Sequence, residues 1–115
     1  MKKKSPEYRY TFRVVWSETD QEFVGLCAEC PGLSWLDKDS DRAFRGIKAV
    51  VRKALDDMER SNETPPEPIS GRQFRGKFQV RTLPAVHRQL VIEAAENGVS
   101  LNRLINAKLT RGWAR

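Results

Sequence analysis

The chain has 115 residues, with 21 Lys and Arg against 15 Asp and Glu for a formal net charge of +6. That length holds one ordinary domain or two very small ones, and excludes a TIM barrel or a two-domain dehydrogenase. With 39% hydrophobic and 31% charged residues the composition is polar but able to fold, and no apolar run approaches the roughly 18–20 residues of a membrane helix.

The start, Met1-Lys2-Lys3-Lys4-Ser5-Pro6, has a basic head with no apolar stretch behind it, so a secretory signal is not expected. Two cysteines without such a signal point to a reducing cytoplasm and free thiols. Residues 8–16 alternate, with Tyr8, Tyr10, Phe12, Val14 and Trp16 on one face and Arg9, Thr11 and Arg13 on the other. This predicts a half-buried strand. After the polar turn 17–22, residues 23–30 read as a second strand, with Val24, Leu26, Ala28 and Cys30 set against Phe23, Gly25, Cys27 and Glu29. Pro31-Gly32 ends it, and Leu33 to Leu36 is a short third strand. Ser40 is a candidate N-cap, and Asp41 suits the positive end of the helix that follows. Ala43, Phe44, Ile47, Val50, Val51, Ala54, Leu55 and Met58 form its apolar stripe, to about Arg60. Three strands and this helix make a small α+β module over residues 1–62.

Residues 63–75 carry Pro65, Pro66 and Pro68 and read as an extended, semi-rigid linker. Beyond it, residues 77–82 alternate again, with Phe78, Val80 and Thr82 on one face and Lys77, Gln79 and Arg81 on the other. Pro84 suits the first position of a helix carrying Leu90, Val91 and Ala94. Gly98 supplies a left-handed cap, and Ser100 caps a last helix with Leu101, Leu104, Ile105 and Leu109. Charge divides along the same boundary: residues 1–70 sum to −1, or −4 without Lys2, Lys3 and Lys4, while residues 71–115 sum to +7. A basic tail is the electrostatic footprint of a nucleic-acid binder, and equally of a solvated basic surface.

A strand-helix-helix segment of residues 76–112 rarely buries enough surface to fold alone, and its lone strand has unpaired edges. Two copies solve both problems by pairing their strands antiparallel and interlocking their helices. The outer face of that ribbon carries Lys77, Gln79 and Arg81 twice, with the groups that read guanine and adenine edges in a major groove. Phe78, Val80, Leu90, Leu101, Leu104 and Ile105 are then the dimerisation residues. Ser100 and Asn102, at the start of the second helix, offer free N–H groups to a phosphate, with Arg103 beside them.

Gly76-Lys77-Phe78-Gln79-Val80-Arg81-Thr82-Leu83-Pro84, followed by Glu96-Asn97-Gly98-Val99-Ser100-Leu101-Asn102, resembles the ribbon-helix-helix (Arc/MetJ-like) DNA-binding fold. The closest variant is the C-terminal domain of HicB-type antitoxins, in which the strand ends in Val-Arg-x-x-Pro and a Gly-x-Ser-Leu-Asn turn joins the helices. The front resembles their β-β-β-α domain (partial dsRBD-like), with an aromatic first strand, Pro31-Gly32 after the second and Ala43 near the helix start. The pattern departs at Leu36-Asp37-Lys38-Asp39-Ser40, where the family usually has Gly-Asp/Glu-Thr, and at Arg42, where it has an acid. The resemblance implies a non-enzymatic, cytoplasmic homodimer or larger assembly. Its front neutralises a small basic HicA-type mRNA interferase, and its ribbon binds operator DNA and represses its own operon. An acidic front meets a basic toxin by complementarity, and Glu29, Trp35, Asp37 and Asp39 are the candidate contacts. The alternative is a stand-alone ribbon-helix-helix regulator whose front binds a ligand or another protein.

No metal or cofactor is expected. Strand alternation places Cys27 and Cys30 on opposite faces, without a second CxxC or a His pair. His87, the only histidine, has no Ser or Cys nucleophile matched to it, which argues against a hydrolytic domain. Trp113 lies past the last helical position with no assigned role.

Overall fold

Phe12–Ser17 (β1), Glu22–Cys27 (β2) and Ser34–Asp37 (β3) form an antiparallel sheet in the order β1-β2-β3. Ser40–Arg60 (α1) packs across one face of it. These elements and residues up to Arg75 make one unit, and Gly76–Arg115 make a second. The computed structural model describes residues 6–112; Trp113 lies outside them.

The register settles which face meets α1. Phe12 pairs with Cys27, Val14 with Gly25 and Trp35 with Gly25, so Gly25 and Cys27 stand on the covered face with them. Gly25 makes close packing possible: a Cβ built there would lie 2.6 Å from the Ala43 carbonyl oxygen and 2.7 Å from Ile47. The bare backbone of Gly46 likewise lets the Trp35 indole lie against α1. Ile47, Val51 and Leu55 are fully buried, one turn after another along the helix, and Tyr10, Cys27 and Cys30 complete the core.

Several local expectations shift. The first strand starts at Phe12 rather than Tyr8, because the ladder has no partner for anything before Thr11: Ala28 N–H donates to the Thr11 carbonyl, and pairing ends there. Glu7–Arg9 form one turn of 3-10 helix, Tyr8 is exposed and Tyr10 turns inward. The second strand ends at Cys27 instead of Cys30. A turn through Ala28 and Glu29 carries Cys30 back into the core beside Cys27, so the two thiols do not lie on opposite faces. The third strand is moved by one residue, to Ser34–Asp37. The cap of α1 is Asp39, whose carboxylate accepts from Arg42 N–H at 3.0 Å, and Ser40 is the first helical residue.

Residues 63–72, expected to be part of a linker, lie against the first unit. Pro68 is buried, Pro65, Pro66 and Ile69 are half-buried, and Ile69–Gly71 form another 3-10 turn.

In the second unit, Pro84–Glu96 (α2) and Leu101–Thr110 (α3) have the expected bounds. Pro84 is at the first turn, and Gly98 sits at φ +67 where a Cβ would be strained. Val99 N–H then donates to the Ala94 carbonyl, and Ser100 Oγ accepts from Arg103 N–H at 3.0 Å. Residues 77–82 form no ladder in the single chain, since a strand exists through its pairing and all three paired strands belong to the other unit.

Candidate nucleic-acid and partner interfaces

The second unit has little interior. Among its described residues only Ala94 and Leu104 are buried apolar side chains, and they fasten α2 to α3. Leu104 is therefore already used within one chain. The other expected dimerisation residues remain open: Phe78 is 73% and Val80 70% exposed, while Leu90, Leu101 and Ile105 are half-buried. These side chains, with Leu109, line a cleft of about 920 Å³ bounded by residues 76–82, α2 and α3. An apolar cleft this open, in a unit this small, calls for a covering surface.

Lys77, Gln79 and Arg81 are all exposed along the same segment, interleaved with Phe78 and Val80. The segment thus offers an apolar set and a hydrogen-bonding set from alternate residues, as a paired ribbon requires. Asn102 and Arg103 are exposed at the start of α3. The Ser100 hydroxyl is occupied as the helix cap: it accepts from Arg103 N–H and holds the start of α3 in place. Lys108 is paired with Glu93 at 3.1 Å across the two helices.

In the first unit, the four candidate contacts separate. Trp35, Asp37 and Asp39 are brought together where β3 turns into α1. Trp35 is 44% exposed. Asp37 accepts from Asp39 N–H at 3.0 Å and from the Arg42 guanidinium at 3.1 Å. That N–H, and then Arg42, hold the Asp37 carboxyl below the usual range. Glu29 stands at the other end of the sheet, near the Phe12–Cys27 pair. Its carboxylate accepts from Thr11 N–H at 2.9 Å, Thr11 Oγ1 at 3.0 Å and Ile69 N–H at 2.8 Å. Burial raises its pKa, but the Ile69 and Thr11 donors outweigh burial and bring it down to about 2. Its work is internal.

A further surface escaped the sequence reading. The sheet face away from α1 presents Val15, Val24 and Leu36 in one row across all three strands, with Leu26 beside them. Val15 is 36% and Leu36 43% exposed, and Val24 and Leu26 are half-buried. A solvated sheet face is ordinarily polar. The available signal was that both alternating sets of the second strand are apolar, so one of them had to face outward. Arg13 and Glu22 bound the row, and Glu18 and Asp20 lie in the turn beyond it.

Burial pushes the Cys27 thiol up to about 12, with Cys30 adding to the effect, and burial raises Cys30 too. Both are thiols without thiolate character at neutral pH. Among the described residues no group of three or more His, Cys, Asp or Glu could hold a metal ion, and no helix is long and apolar enough to cross a membrane.

Residues 55–109 match the model of the HicB family. The stretch runs from the last turn of the α1 core, through residues 63–72, to the end of the exposed cleft. Nothing matches among curated proteins, and nothing matches among solved structures.

Proposed function

We infer that the chain is an antitoxin of the HicB type that binds and neutralises a small basic HicA-type mRNA interferase and represses its own operon. The observation that carries this reading is the second unit. It is a basic pair of helices preceded by an exposed alternating segment, with an open apolar cleft, and residues 76–109 of it lie in the stretch that matches the HicB family. Two copies pair residues 77–82 as an antiparallel ribbon and close the cleft, with Phe78, Val80, Leu90, Leu101 and Ile105 between them. Lys77, Gln79 and Arg81 then enter the major groove and read base edges. The first turn of α3, with Asn102 and Arg103, holds phosphates on either side.

The first unit is the toxin-binding part. The corner of Trp35, Asp37 and Asp39 and the open row of Val15, Val24 and Leu36 give it an apolar surface with an acidic margin. That is the complement of a cation-rich RNA-binding surface. The protein acts by binding, not by catalysis.

Titrating the purified full-length chain into DNA from upstream of its own reading frame, at several salt concentrations, tests the repressor half. A two-fold-symmetric site bound with a steep salt dependence is expected, and salt-independent or absent binding refutes it. Co-expression with the small basic reading frame beside it tests the other half. Restored growth supports neutralisation, and no rescue, or no such frame, removes it.

A further inference from the structure

Residues 63–72 are proline-rich, and such segments usually act as spacers. Here hydrogen bonds through side chains tie them to the first unit, with partners far away in sequence. Tyr10 Oη donates to the Pro66 carbonyl at 2.6 Å. Ile69 N–H donates to Glu29 Oε2 at 2.8 Å. Ser70 Oγ donates to the Arg9 carbonyl at 2.7 Å. Within the segment, Gly71 and Arg72 N–H close a 3-10 turn on Pro68 and Ile69, and Gly71 leaves room for the Arg9 guanidinium. The segment ends in this turn, and only Gln73, Phe74 and Arg75 separate Arg72 from the second unit at Gly76.

We propose that residues 63–72 form a strap, fastened by Glu29, that sets the length of free chain between the first unit and Gly76, where the second begins. With the strap fastened, the free tether from Arg72 to Gly76 spans at most about 14 Å. With the strap released, the tether begins at Ser61, the cap of α1, and spans up to about 50 Å. Glu29 is suited to the task because both its oxygens accept. One takes Thr11 N–H, and the other takes Thr11 Oγ1 and Ile69 N–H. One carboxylate thus joins the start of β1, the end of β2 and the strap. Glu29→Gln keeps the shape but turns an NH2 group toward one of those N–H donors, setting donor against donor. The strap is a positioning device that stands whether or not the partner is a toxin.

The test uses the full-length protein and two readouts, amide exchange by NMR and the radius of gyration by small-angle scattering. The proposal expects the Ile69 amide to be protected in the natural chain. It expects Glu29→Gln to speed its exchange by about tenfold or more while Val51 and Leu55 stay protected. It also expects the radius of gyration to rise. Should Glu29→Gln unfold the unit, which Val51 and Leu55 exchange would reveal, Ser70→Ala at an exposed position loosens the strap alone. It should give the same two changes, smaller. An unprotected Ile69 amide in the natural chain overturns the proposal. So does exchange that neither variant alters, and so does an unchanged radius once protection is lost. Operator affinity and toxin rescue are separate readouts, so loss of either function leaves this result standing.

Discussion

The first unit buries Ile47, Val51 and Leu55 completely beneath one face of a sheet, while the second buries only Ala94 and Leu104 between two helices. The one has paired its strands; the other holds a strand-like segment of exposed alternating residues with no ladder. The second unit has the larger apolar share of sequence, 18 of its 40 residues against 27 of 75, so the difference is one of closure. A helix that crosses a three-stranded sheet closes a core within one chain. Two short helices and an exposed segment leave their apolar side chains open, and in the proposed pair a second copy closes over them. The first unit should therefore unfold at a temperature independent of protein concentration, and the second should depend on it.

Four substitutions or titrations can break or sharpen that contrast. The largest effect belongs to Ile47→Ala, which empties a fully buried position and should destabilise the first unit by about 2–5 kcal/mol, read by thermal denaturation. The second unit should be indifferent to it. Val80→Glu reverses the pattern. Val80 is 70% exposed in the single chain, so the fold of one copy should barely notice the change. Self-association by sedimentation should weaken about tenfold or more, because the change buries an unpaired charge in the pair. If Val80→Glu leaves the oligomer intact, the closure argument for the second unit fails.

Arg81→Ala comes next. It should cost about 1–3 kcal/mol of operator affinity at one position of each half-site, measured by titration against single-base variants, with self-association untouched. The smallest effect is an acid titration. Glu29 has a folded pKa of about 2, below the 4.5 of an unperturbed glutamate. Its contribution is present above pH 4.5 and is lost as pH falls toward 2. The first unit should therefore lose stability across that window. The second carries only Glu93 and Glu96 as acidic side chains.

Local chemistry was legible from the residues. Pro84 marks the start of α2, Gly98 the left-handed exit, and Ser100 the cap of α3, because each acts through its own backbone within a few positions. The stripe of α1 was equally plain. What could not be read depended on partners distant in sequence. Nothing near Tyr10 says that its hydroxyl meets the carbonyl of Pro66, 56 residues on. Nothing near Glu29 distinguishes a surface carboxylate from one that gathers Thr11 and Ile69. Strand alternation also misplaced Cys30, because alternation continues only while the ladder does, and β2 stops at Cys27. The inward face of β2 is decided by the closeness that Gly25 permits, which periodicity alone does not measure.

The indole of Trp35, laid against the bare backbone of Gly46 and still 44% exposed, gives the molecule an optical handle. With Trp16→Phe and Trp113→Phe, its emission would come from one place, the corner it shares with Asp37 and Asp39. Covering that corner should shift the emission to the blue, whereas a ligand on the ribbon should leave the colour unchanged. One chromophore can thus report which half of the protein a partner has found.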